Sequence, residues 1–169
     1  IADHAFVRGT PGLEDEIQSA TCGYGADAVI IAAATSSSDP INFAGAIARK
    51  RGLVVVLGSV PTGFERDPHW YRKELQLRMA CSYGPGRYDP QYEEKGIDYP
   101  LAYVRWTEKR NMEAFQRLIE RGLMPLDCLT THEFAFDDAP KAFDMIANKS
   151  EPYIGIVIRY DASKPLFRG

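Results

Sequence analysis

Apolar residues fall along this chain in two rhythms, and the switch between them marks its elements. Asp27-Ala-Val-Ile-Ile-Ala-Ala-Ala34 is a continuous apolar run, the pattern of a strand covered on both faces. Asp39-Pro40 follows as helix cap and first-turn proline. Ile41, Ala44, Ile47 and Ala48 share one helical face, with Gly52 as the stop. Residues 53–57 (Leu-Val-Val-Val-Leu) are the next apolar run, closed by Gly58-Ser59. Strand, helix and strand with short links predict parallel pairing through a right-handed crossover. A polar loop, 61–74, leads to a third strand at 75–81. Upstream, Thr10 is placed to cap a helix over 13–22, with Leu13, Ile17 and Ala20 inward and Gly23 at its end.

The rhythm then breaks. Residues 85–106 are dense in Tyr, Pro, Gly and charge, and a loop of about twenty residues inside a compact domain tends to be functional or disordered. Thr107 opens a helix with Met112, Phe115, Leu118 and Ile119 inward and Gly122 as its stop. Asp138 caps a shorter helix with Ala139, Ala142, Phe143 and Ile146 on one face, between strands at 131–136 and 154–158. The expected divisions are an α/β part at 1–84, an aromatic-rich loop at 85–106, helices and strands at 107–160, and a linker at 161–169.

No G-x-G-x-x-G follows a strand, and the chain begins with Ile1. The expectation is the back part of a larger protein. The order of the pieces resembles the medium-chain dehydrogenase/reductase superfamily, the zinc-type alcohol dehydrogenases and their zinc-free quinone reductase relatives. Ile1-Ala-Asp-His-Ala-Phe-Val7 is similar to that family's "lGAD" join, and Gly23-Tyr-Gly-Ala-Asp-Ala-Val-Ile30 to its "G-x-G-x-D-x-V-I" strand. Arg49 to Gly58 is similar to "R-x-G-x-x-V-x-x-G". Phe134-Ala-Phe-Asp-Asp-Ala-Pro-Lys-Ala-Phe143 and Ile154-Gly-Ile-Val-Ile158 resemble its closing segments. The stretch from Ser82 to Glu108 departs from the common pattern. It resembles a subgroup fused to a second domain of the glucose–fructose oxidoreductase type.

The resemblance implies an α/β fold: an incomplete Rossmann-like parallel sheet, lacking its first strands and glycine fingerprint, plus a carboxy-terminal α+β segment. In the order 3-2-1-4-5-6, the missing strands would leave residues 5–7 irregular or displaced. The resemblance also implies an NAD- or NADP-dependent oxidoreductase, moving hydride between nicotinamide and an alcohol or carbonyl substrate. A homodimer would form through the 75–81 edge strand. The glycine fingerprint, the acidic ribose residue and the zinc ligands belong to absent segments, so the chain alone is expected to be inert and zinc is not supported. The other reading is a non-catalytic folding and dimerisation module of a larger protein.

Composition narrows the partners. The formal net charge of −3 on 169 residues offers no basic field for nucleic acid. No stretch approaches the roughly 20 apolar residues of a membrane helix. Cys22, Cys81 and Cys128 are few, odd in number and far apart, which suits a reducing, cytoplasmic compartment rather than a disulfide framework. Cys22 and Cys81 are expected in the core.

Ligands of doubly wound sheets bind beyond the carboxyl ends of the strands. Here those ends hold Ala34 and Thr35, Gly58, Ser59 and Val60, and Ser82 and Tyr83. Gly58 admits a close backbone approach to a flat ring, and by the resemblance the carboxamide of the nicotinamide meets backbone near Ser59 and Val60. The plainer reading of Gly58-Ser59 is a turn ending a strand. Ser36-Ser-Ser38 suggests either a phosphate site at a helix start or an ordinary leading loop. His4, His69 and His132 are too scattered for a zinc site. Arg87, Tyr88, Tyr92, Tyr99, Tyr103, Arg105 and Trp106 suit sugar or nucleotide contacts or a protein interface, or else a loop packed on itself.

Overall fold

The computed structural model describes residues 2–163, and these fold as two compact units divided between Glu108 and Lys109. The first unit carries α1 (Leu13–Ala20), β1 (Ala26–Ile31), α2 (Asp39–Ile47), β2 (Ala48–Val56), β3 (Gln76–Met79) and a short α3 (Pro90–Glu93). Its sheet runs β1-β2-β3, parallel throughout. Residues 5–7 form no strand, in line with the expectation that they would be irregular or displaced. The second unit holds most of α4 (Glu108–Glu120), then β4 (Thr130–Ala135), α5 (Ala139–Asn148) and β5 (Gly155–Arg159), with β4 and β5 parallel. Among the described residues no helix is long and apolar enough to cross a membrane. Of the expected linker, 164–169 lie outside the described residues.

The core of the first unit is one face of the sheet under one helix. Pleating sends Val54 and Val56 to the same side as Val29 and Ile31. Ile41, Ala44 and Ala48 meet them there, all buried. Trp70 completes the cluster, its ring stacked on Phe64 at 4.2 Å. It fits because residue 45 is glycine: a Cβ there would stand 2.7 Å from the indole nitrogen. The Lys73 ammonium closes the far end of α2. It donates to the carbonyls of Gly45, Ala46 and Ala48 at 3.0, 2.6 and 2.9 Å, where the helix dipole favours a cation. Burial lowers its pKa, partly offset by Glu14.

Several expected boundaries move, each for a local reason. Thr10 does not cap α1: its hydroxyl donates to the Val7 carbonyl, and Gly12 at φ 78° leads the helix. Leu13 is buried and Ile17 half-buried, but Ala20 is exposed. Asp39 lies within the first turn of α2, Ser38 being the flanking residue. The helix stops at Ile47, before Gly52, because Ala48 is already extended. Ala26 then faces Ala48 while Ala28 faces Leu53, so residues 49–52 bulge out of the ladder. Strand β1 is covered on one face only: Ile30, pointing to the other, is 66% exposed. Thr107 is fully buried, yet its hydroxyl has no partner, so it does not cap α4.

In the second unit the register of the helices differs from the expected stripes. Ala142 and Met145 are the buried residues of α5, while Phe143 and Ile146 are exposed. A two-stranded sheet covers a narrow stripe, and residues 142 and 145 suffice to fill it. Asp138 makes no cap hydrogen bond and pairs with Lys141 instead. On α4, Met112, Phe115 and Leu118 are exposed and Ile119 half-buried. Gly122 does end it, at φ 67°, with Leu123 N–H returning to the Leu118 carbonyl at 3.0 Å.

Ile41→Ala removes a side chain with no exposed surface, so it is expected to cost about 2–5 kcal/mol in urea unfolding. Phe143→Ala, on a ring 65% exposed, should stay within about 0.5 kcal/mol. Equal losses at both positions would contradict the packing described.

Candidate functional site

The carboxyl ends of the three parallel strands open on one edge of the first unit's sheet. Beyond the last ladder pair, the chain after β1 stays in register with the chain after β2. Ala34 bridges Ser59 in parallel fashion. Thr35 N–H donates to the Ser59 carbonyl at 2.9 Å, and Ser59 N–H to the Ala33 carbonyl at 3.0 Å. Ala34, Thr35 and Ser59 are therefore brought together, with their side chains exposed. Val60 is half-buried, and no hydrogen bond engages its N–H or C=O among the described residues. Ser82 and Tyr83 follow the end of neighbouring β3, both exposed, with Ser82 in the left-handed region at φ 42°. They lie at that same end of the sheet.

Gly58 is needed for a reason the sequence did not show. A Cβ on it would lie 2.1 Å from the Ala33 carbonyl oxygen and 2.7 Å from the Ala32 carbonyl carbon. The close approach is thus between two backbone segments of this chain rather than to an open cradle. Its N–H donates to the Ile31 carbonyl at 2.8 Å. Any side chain here forces the backbone apart, with or without a bound ring.

The serine loop is occupied by its own turn. The Thr35 hydroxyl accepts from Ser37 N–H at 3.2 Å, and the Ser37 hydroxyl from Asp39 N–H at 3.1 Å. The Asp39 carboxylate sits in the first turn of α2 and takes a two-pronged bond from Arg8, at 3.1 and 2.8 Å. A carboxylate already complements the positive end of the helix dipole, so the loop is an ordinary lead into the helix. The Arg8–Asp39 clasp went unread in the sequence. It edges a groove of about 370 Å³ along the unpaired side of β1, with Ile30, Phe43 and Ile47 in its walls. Only the wide sequence separation of the pair hid it.

The cysteine expectation is corrected: Cys22 and Cys81 are exposed, as is Cys128. Cys22 stands at φ 53° just past α1, where the chain turns outward, and Cys81 follows the last paired residue of β3. The histidines do not converge. His4 stacks near Phe6, and His132 lies between the Thr131 hydroxyl at 2.9 Å and the Glu151 carboxylate at 3.4 Å. Among the described residues no three His, Cys, Asp or Glu side chains gather as metal ligands.

The aromatic loop divides in two. One part packs on itself. The Asp89 carboxylate caps α3 through Gln91 N–H at 2.9 Å and accepts from the Tyr99 hydroxyl. That hydroxyl bond holds the Asp89 carboxyl below its usual range and raises the Tyr99 phenol. Tyr92 stacks on Tyr99 at 5.5 Å over Gly86, and Arg87 binds Glu93. The other part faces solvent: Tyr88, Tyr103 and Trp106 are exposed, with Arg105 lying 4.1 Å from the centre of the Trp106 ring.

No protein-family model and no curated protein matches the sequence. Solved structures do match the fold. An alcohol dehydrogenase from Thermus sp. ATN1 superposes at a TM-score of 0.56 and 15% identity, over 91% of this chain and 36% of its own. The zinc-dependent alcohol dehydrogenase 2 from Streptococcus pneumonia gives 0.56 and 16%, over 90% and 36%. Galactitol-1-phosphate dehydrogenase from Escherichia coli gives 0.53 and 16%, over 83% and 36%. The chain therefore spans about a third of the length of the structures it matches. The likeness is one of fold: the chain matches part of these dehydrogenase structures, in keeping with the expected incomplete Rossmann-like parallel sheet.

Proposed function

We propose that this chain forms the nicotinamide side of the cofactor crevice in an NAD(P)-dependent oxidoreductase. The observation that carries the reading is the join of Thr35 to Ser59 at the carboxyl ends of parallel strands, the place where such sheets take ligands, in a fold shared with dehydrogenases. The donor set fits a carboxamide. Ser59 N–H is engaged by Ala33, but Val60 offers both a donor and an acceptor, and a carboxamide presents one of each. Ala34 and Thr35 would flank the ring, with Ser82 and Tyr83 further along the same end of the sheet. The cofactor, when bound, supplies hydride exchange with an alcohol or carbonyl carbon. The chain's own residues position the ring and bound the crevice. The glycine-rich turn for the pyrophosphate and any metal would come from other parts of a longer protein.

A second role is supported by β3. Its outer edge is unpaired among the described residues, and the strand's Leu77 and Met79 are exposed. An unguarded edge pairs readily with another strand, and a two-fold axis would make that pairing antiparallel. The homodimer through the 75–81 edge is therefore part of the proposal. If cofactor binding fails, this edge leaves the folding and dimerisation module as the remaining role.

Ser59→Trp places a bulky side chain in the crevice while keeping the backbone bonds of residue 59. In the full-length protein it should weaken NADH or NADPH binding tenfold or more, about 1.4 kcal/mol, measured by fluorescence titration. Gly63→Trp, where an added Cβ meets nothing within 4 Å, should not. Wild-type affinity in Ser59→Trp would overturn the crevice.

For the dimer the informative change is Leu77→Pro. Ala80 N–H points to Val56, so by alternation Leu77 N–H points outward, and proline removes an edge donor without breaking the β2–β3 ladder. Light scattering should show a monomer, and an unchanged dimer would place the contact elsewhere.

A further inference from the structure

The long loop between β3 and α4 is closed at its base. Glu108 N–H donates to the Pro85 carbonyl at 3.0 Å. Arg87 and Tyr88 follow Pro85 by two and three residues, and Arg105 and Trp106 precede Glu108 by three and two. Consecutive Cα atoms are about 3.8 Å apart, so this one bond holds both arginine–aromatic pairs at the same end of the loop. The loop also departs directly from Ser82 and Tyr83, and so rises from the end of the sheet where the strands terminate.

The two pairs are chemically unequal. The Arg87 guanidinium lies 4.5 Å from the centre of the Tyr88 ring, but its charge is answered by Glu93. The strength of that bond is why the Arg87 pKa is raised. Arg105 lies over Trp106 with no carboxylate paired to it among the described residues. Two of the loop's acids are occupied nearer at hand, Asp89 with Tyr99 and Glu93 with Arg87. What remains outward is one uncompensated guanidinium and three exposed rings. Tyr103 is 88% exposed and Trp106 49%. Exposed rings of this size are tolerated singly, but here three fall within a few residues of the loop's closed base, beside a cation.

We infer that Arg105, Trp106, Tyr103 and Tyr88 form a binding surface for an anionic sugar, one carrying a carboxylate or a phosphate. The planar guanidinium matches the paired oxygens of either group. A flat ring beside it offers a face to the C–H side of a pyranose, while the phenol hydroxyls reach its hydroxyls. Neither half suffices alone: the rings carry no charge to select an anion, and one exposed arginine does not select a sugar. The inference names the substrate class for the proposed oxidoreductase and rests on that reading for its purpose. The binding itself does not require cofactor.

The test is fluorescence titration of the full-length protein without cofactor. Trp106 is the reporter, identified by loss of the response in Trp106→Phe; Trp70 is buried against Phe64. The probes are glucuronic acid, glucose 1-phosphate, glucose and inorganic phosphate. Saturable binding of either sugar anion, on the order of 1 mM, is expected, with glucose and inorganic phosphate at least tenfold weaker. Whichever sugar anion binds more tightly tells carboxylate from phosphate. Arg105→Gln should weaken the sugar anion tenfold or more with an unchanged melting temperature. Binding of inorganic phosphate as tight as the sugar phosphate, equal binding of glucose, or an unchanged Arg105→Gln would each overturn the inference. NADH titration of the same sample separates the two proposals. Cofactor binding without sugar-anion binding overturns this one alone, and the reverse overturns the crevice alone.

Discussion

Everything in the first unit depends on the seat of α2 against one face of the sheet. Ile41, Ala44 and Ala48 lie on Val54, Val56 and Ile31 with essentially no solvent between them. Helix and strands are fixed together by apolar burial, which is non-directional and proportional to area. Direction comes from elsewhere. Gly45 admits the Trp70 ring, and Lys73 gathers the last carbonyls of the helix. With α2 seated, β1 and β2 must run parallel, and their ends must fall together. The backbone join of Thr35 to Ser59 is a consequence of that packing. Its geometry is held by backbone bonds and by the contact that glycine 58 allows, so its side chains are free to vary.

The apolar residues of the chain exceed what its own elements cover. Ile30 stands out from the bare face of β1, a groove follows that strand's unpaired edge, and α4 turns Met112, Phe115 and Leu118 outward. A strand buried on both faces reads as a continuous apolar run, and residues 27–34 are written in that way. The matched dehydrogenase structures are nearly three times as long as the matched part of this chain.

Element type was legible in the sequence, and element edges were not. The strand–helix–strand core could be read because period and length agree there, with Val54 and Val56 alternating inward and Ile41 and Ala44 four or fewer residues apart. The boundary at residues 48–52 was hidden because Ala48 continues the helical apolar stripe while its backbone is already extended. Thr10, Asp138 and Thr107 carry the right chemistry for caps, but each hydroxyl or carboxylate is turned to another neighbour or to none. Residue type states what a cap could do, and packing decides whether it does. The candidate site residues were chosen from position, as strand ends. What position could not reveal was the partner of Gly58, which is backbone of this chain, or that Ser59 N–H is engaged while Val60 is open. The aromatic loop was readable as unusual. Its division into a packed half around Asp89 and an outward half around Arg105 depends on which partners meet across the loop, such as Tyr99 with Asp89 and Glu108 with Pro85.

Amide hydrogen exchange in the full-length protein, with and without NADH or NADPH, bears most directly on the crevice. The Val60 amide has no hydrogen bond in the described structure, so it should exchange quickly in the free protein. Slowed exchange at Val60, with added protection at Ala34 and Thr35, is the expected effect of cofactor, while the loop at Thr62 and Gly63 stays unchanged. Unaltered exchange at Val60 at saturating cofactor would contradict the assignment of this sheet edge to the nicotinamide.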